Sequence, residues 1–108
     1  MNKHEVIIAV VNAGFATQAM EAAKEEGARG GTIINARGTG SKDMEKKYGI
    51  AITSDKEALI ILVRTKIRDK VLSAIYKSVG MATNGQGIAF SLPVEEVMGL
   101  KFDDDDED

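Results

Sequence analysis

The stretch EVIIAVV, Glu5 to Val11, returns about half a chain later as EALIILV, Glu57 to Val63. Each is a glutamate followed by a run rich in aliphatic and β-branched residues, the composition of a strand. The segments after the two runs are also alike. After the first comes FATQAMEAAKEE, Phe15 to Glu26, whose apolar residues Phe15, Ala19, Ala22 and Ala23 recur at helical spacing. Gly27 stands where a helix C-cap belongs. GGTIINARG then predicts a second strand around Thr32 to Ala36. After the second run, Thr65 is the expected N-cap of a helix in KIRDKVLSAIYKSV. Its buried face is expected to be Ile67, Val71, Ala74, Ile75 and Val79, with Gly80 as C-cap. GIAFSL, Gly87 to Leu92, reads as a fourth strand that Pro93 ends.

The order is βαβ–βαβ, which predicts an α+β domain of the ferredoxin-like, split-βαβ kind. In it a four-stranded antiparallel sheet carries two helices on one face. A sheet covered on one side should alternate apolar and polar residues. The first and third strands do not: Val6 to Val11 and Leu59 to Val63 are apolar at every position. The second face must therefore be covered too. No third helix remains to cover it, so a second copy of the chain, packed sheet to sheet, is the expected cover.

Bulk properties bound the chemistry. The 108 residues suit one domain. There is no cysteine and a single histidine, His4. Disulfides, zinc thiolates and thiol catalysis are therefore excluded, a soft-metal site is not expected, and His4 is expected in solvent. No apolar run is long enough to cross a bilayer and no signal peptide opens the chain, which points to a cytoplasmic protein without membrane insertion. The net charge is −3, but residues 103–108 are all acidic. Without that tail 14 basic residues face 11 acidic ones, a net of +3. Residues 1–102 thus read as a mildly basic domain and 103–108 as a solvated, disordered tail. Scattered basic residues and five aromatics argue against nucleic-acid binding.

Between the two repeats lies GTGSKDMEKKYGIAITSDK, Gly38 to Lys56. A connection this long in a compact domain is usually functional or mobile, the alternative being a plain crossover with a fragment of helix at KDMEKKY. It opens with Gly38-Thr39-Gly40, and a second glycine pair, Gly85-Gln86-Gly87, precedes the fourth strand. Neither fits a nucleotide fingerprint, which runs from strand into helix. Both sit where edge strands of such a sheet end or begin. In an oligomer the two turns could offer backbone N–H groups to one cleft, with Lys56 and Lys101 adding positive charge.

INARGTGS (34–41) and TNGQGIAFSLPVEEV (83–97) together resemble the PII nitrogen-regulatory, or PII-like, signalling family over roughly residues 4–101. INARGTGS is similar to the family's second strand and the start of its T-loop. NGQGIAFSLPVEEV is similar to its phosphate-contacting B-loop and fourth strand. The resemblance implies a homotrimer with clefts between subunits that bind ATP or ADP, often with 2-oxoglutarate. It also implies a T-loop, about residues 38–56, that docks onto a target, commonly a membrane transporter or a nitrogen enzyme, and a regulator rather than an enzyme. Carried over by position, the nucleotide contacts would be Gly38, Thr39, Gly40, Lys56, Thr83, Gly85, Gln86, Gly87 and Lys101. Gly85, Gln86 and Gly87 would donate backbone N–H groups to phosphate. Lys42, Lys46, Lys47, Tyr48 and Ile50 would be the partner contacts in the loop.

The departures from the family pattern bear on the ligand. Ile88 stands where the B-loop lysine is usual, and Gly99 and Lys101 stand where two arginines are common. A hydrogen bond to a charged group contributes about 1.5–3 kcal/mol, so triphosphate affinity should fall. ADP, AMP, a cyclic nucleotide or another small anion is expected instead. Lys42 replaces the glutamine of the 2-oxoglutarate–magnesium site, and Tyr48 lacks the family's modification signature. Met44, Met81 and Met98 flank the loops as gap fillers or as an adaptable wall for a base. The competing readings are a small enzyme on the same fold and a structural trimer without a nucleotide. An acylphosphatase would need an arginine in the turn after the first strand, and NAGFATQ has none.

Overall fold

The computed structural model describes residues 3–39, 45–47, 49 and 54–99. Four strands and two helices carry the fold: β1 (His4–Asn12), α1 (Ala16–Glu25), β2 (Gly31–Arg37), β3 (Asp55–Arg64), α2 (Arg68–Val79) and β4 (Ile88–Val94). The sheet order is β2-β3-β1-β4 and every pairing is antiparallel. The order and sequence of elements are those expected of a ferredoxin-like split βαβ.

Although the apolar sequence of β1 does not alternate, its burial does. Glu5, Ile7, Ala9 and Val11 are buried under the helices, and the residues between them are half-exposed. β3 repeats this with Leu59, Ile61 and Val63. These residues form one core with Ala16, Ala19, Met20 and Ala23 of α1 and Val71, Ile75 and Val79 of α2. Full burial of one such Val, Leu or Ile side chain contributes about 1.5–3 kcal/mol. Ala74 and Ile67 are only half-buried, at the rim of the face predicted for α2.

The opposite face of the sheet is also apolar. Register aligns Leu62 with Val6 and Leu92, Ile60 with Ile8 and Phe90, and Ala58 with Val10 and Ile88. Paired residues point to the same side, so these three rows form a continuous surface. Along β4, Ile88, Phe90 and Leu92 are 55%, 45% and 47% exposed. No described element packs over this face, which is the surface that the unbroken apolar runs required to be covered.

The helix ends differ in part from expectation. α1 closes as anticipated, with Gly27 in the left-handed region (φ +108). The Gly27 N–H bonds the Lys24 carbonyl and the Ala28 N–H bonds the Ala23 carbonyl, a Schellman motif. Thr65 is not the N-cap of α2. It opens a 3₁₀ turn, Thr65–Ile67, and Ile67 occupies the cap position without a side-chain bond. Pro93 does not end β4 but lies inside it opposite Glu5, and Val94 still pairs with His4. β4 is an edge strand, where a proline that cannot donate to the ladder is tolerated. His4, expected in solvent, is half-buried in β1.

Candidate functional site

The antiparallel order brings four chain ends to one end of the sheet. Arg37 closes β2 opposite Asp55, which opens β3, Lys56 follows opposite Asn12, which closes β1, and Ile88 opens β4 opposite Val10. The two glycine clusters thus share an end of the sheet but lie at its opposite edges. Three strand spacings, about 14 Å, separate them.

Asn12 and Lys56 bridge that distance. The Lys56 Nζ donates to Asn12 Oδ1 at 2.7 Å. The Asn12 Nδ2 donates to the Asn84 carbonyl at 2.9 Å, and the Asn12 backbone N–H donates to the Gly85 carbonyl at 2.8 Å. On the other side, the Lys56 stem packs beneath Gly38, where an added Cβ would lie 3.2 Å from Cγ and Cε. The Gly38 N–H bonds the Ser54 carbonyl at 2.7 Å, closing the base of the long connection. Lys56 is half-buried, and desolvation holds its ammonium below the usual lysine pKa. Among the described residues its one hydrogen-bond acceptor is a neutral amide oxygen, with no carboxylate on it.

Glu57, the next residue, faces the helix side. Its Oε1 accepts the Gly14 and Ala16 N–H groups, each at 3.0 Å, and so gives an acceptor to the first amide of α1 and to one in the turn before it. Sequence reasoning singled out neither Asn12 nor Glu57 for these roles. The available signals were a polar residue ending an apolar strand and a carboxylate beside Lys56.

The 83–87 turn is bonded internally. Thr83 Oγ1 donates to the Gly80 carbonyl at 2.7 Å and accepts the Gly85 N–H at 3.2 Å. The Gln86 N–H donates to the Thr83 carbonyl and the Gly87 N–H to the Val79 carbonyl, at 3.0 and 2.7 Å. All three amides expected to donate to phosphate already have acceptors within the chain in this conformation. The two glycines also sit where a side chain would be crowded. A Cβ on Gly85 would lie 2.9 Å from Val79 Cβ, and one on Gly87 would lie 2.6 Å from the Val79 carbonyl oxygen. Neither glycine has a positive φ, whereas Gln86 does, at +46°.

An apolar groove of about 470 Å³ abuts this turn, between α2 and β4, and Leu72, Tyr76, Met81 and Ile88 help to line it. A larger recess of about 780 Å³ lies between the outer faces of α1 and α2, away from these residues. Met98 is exposed. Thr39, Lys46 and Lys47 are also exposed, while Gly40, Lys42, Met44, Tyr48, Ile50, Lys101 and the 103–108 tail lie outside the described residues. The described residues hold no cluster of three or more potential metal ligands and no helix long and apolar enough to cross a membrane.

Comparison with solved structures returns this fold. PII from Arabidopsis thaliana, bound to citrate, is 24% identical with a TM-score of 0.70, over 93% of this chain and 82% of that one. A PII-like signaling protein from Thermus thermophilus is 20% identical with a TM-score of 0.64, over 86% of this chain and 87% of that one. A functionally unknown protein from Pediococcus pentosaceus is 16% identical with a TM-score of 0.65, over 93% and 100% of the two chains. No curated protein matches the sequence. The family profile for nitrogen regulatory protein P-II matches residues 4–104, nearly the whole chain, and the chain belongs to that family.

Proposed function

We propose that this protein is a PII-type regulator that binds a small anionic effector between the subunits of a homotrimer. It passes its ligand state to a partner protein through the T-loop, residues 38–56. The observation that carries this reading is Lys56. Its ammonium is partly desolvated, carries no carboxylate among the described residues, and sits directly under the base of the loop. The apolar open face of the sheet supports the oligomer. Packing these faces together would remove Phe90, Leu92 and Ile88 from water. A neighbour would also supply the second wall of a cleft that one subunit lacks.

The effector class is an adenine nucleotide with few phosphates or a small polycarboxylate. The first follows from family membership and from the uncharged Ile88 beside the turn. The second is supported by citrate in the Arabidopsis relative and by Lys56. Nitrogen control and a membrane-transporter target are readings from the family. Non-enzymatic action accords with the family.

The test is a thermal-shift panel of ATP, ADP, AMP, cyclic AMP, cyclic di-AMP and citrate, each with and without magnesium and 2-oxoglutarate. A ligand at 100 times its dissociation constant stabilises the folded state by about 2.7 kcal/mol. A shift with one of them that Lys56→Met abolishes supports the reading. No shift with any would leave the glycines as packing residues of a structural trimer.

A further inference from the structure

Asn12 ends the central strand β1 and touches both loops that the sheet's end supports. It accepts from Lys56, donates by its side chain to Asn84, and donates by its backbone to Gly85. We infer that Asn12 is a positioning residue that couples the Lys56 ammonium, and with it the base of the long loop, to the 83–87 turn.

The chemistry of the amide makes the coupling directional. A carboxamide has one accepting and one donating end. With Lys56 donating to Oδ1, Nδ2 is left to meet the Asn84 carbonyl. The flipped amide would set its NH₂ against an ammonium and its oxygen against a carbonyl, so both contacts would be repulsive. Lys56 therefore selects the orientation that anchors the turn. The turn has reason to need an anchor: Gln86 holds a left-handed conformation, which is disfavoured for a residue with a side chain. An anion that draws the ammonium off Oδ1 would release the amide and loosen the turn. Conversely, a ligand that displaces the turn would free Lys56. Sites on opposite edges of the sheet would thus respond to each other through one side chain. The effector half of this coupling rests on the reading of Lys56 as the anion contact. The Lys56–Asn12–turn linkage does not, and it is measurable without ligand.

The experiment is amide hydrogen exchange by NMR on the full chain, in wild type, Lys56→Met, Asn12→Ala and the double variant. Methionine keeps most of the stem under Gly38 and removes the ammonium. Gln86 and Gly87 N–H report the turn, and Ile7 and Ile61 N–H report global opening. Each single variant is expected to speed exchange at Gln86 and Gly87 by about tenfold relative to the core amides. The double variant should be no faster than Asn12→Ala alone. Asn12→Asp should keep the Lys56 pair yet loosen the turn, because an oxygen then faces the Asn84 carbonyl. An unchanged turn in Lys56→Met, multiplying effects in the double variant, or wild-type protection in Asn12→Asp would each overturn the proposal. The linkage with no thermal response to nucleotide or citrate would remove the effector reading and leave the coupling standing.

Discussion

Replacing Gly87 with alanine tests whether the second glycine cluster is set by packing. A Cβ at Gly87 would lie 2.6 Å from the Val79 carbonyl oxygen and 2.8 Å from Val11 Cγ1. Ordinary contact begins near 3.4 Å, so the turn must move by about 0.8 Å or Val79 must yield. Val79 is fully buried, and its carbonyl accepts the Gly87 N–H at 2.7 Å. The move would strain that hydrogen bond, worth about 1 kcal/mol net. Overpacking adds about 1–3 kcal/mol. The expected loss is therefore about 2–4 kcal/mol. The assay is urea unfolding at fixed protein concentration, since an oligomer's stability depends on concentration. Gly30→Ala is the control: a Cβ there meets nothing within 4 Å, and φ is not positive. That variant should stay within about 0.5 kcal/mol of wild type or gain slightly. A Gly87→Ala protein as stable as Gly30→Ala would refute the packing argument. The glycines would then have to be explained by a ligand.

Glu57→Ala should cost about 1–2 kcal/mol in the same unfolding assay, because the first amide of α1 and one in the turn before it lose their acceptor; Glu57→Gln should lose less. Phe90→Glu on the open face should convert the proposed trimer into monomer by light scattering, from three times the 11.6 kDa chain to one. Circular dichroism should be retained, since Phe90 is outside the helix-side core. Lys56 should titrate below 10.5 by NMR of its side chain. Folding penalises its charged form, so the cost is present at neutral pH and fades as pH rises through the lowered pKa toward 10.5. Anion affinity should fall over the same alkaline interval and show no such fall in Lys56→Met.

Much of the fold was legible because hydrophobic patterning is a local record of burial. The repeated Glu-then-apolar runs marked β1 and β3, helical spacing marked α1 and α2, and Gly27 marked a real helix end. Thr65 and Pro93 misled because both were read by residue preference alone. A 3₁₀ turn intervened at the first, and an edge position tolerated the second. The glycine turns were placed correctly at the sheet's end, but their hydrogen-bond state was not legible. Whether an amide is free depends on acceptors such as the Val79 carbonyl, which belongs to another element.

By itself the sequence determined the βαβ–βαβ order, the family resemblance, and an apolar face without a helix to cover it. Those follow from the period and composition of short segments, which the chain carries locally. Only the tertiary structure decided that Asn12 joins Lys56 to the 83–87 turn, that Glu57 holds the start of α1, and that the amides of that turn already have acceptors. Asn12 and Lys56 are 44 positions apart, and Asn12 and Asn84 are 72 apart. Antiparallel register brings them to hydrogen-bond distance, and register is set by which faces of the whole sheet are buried.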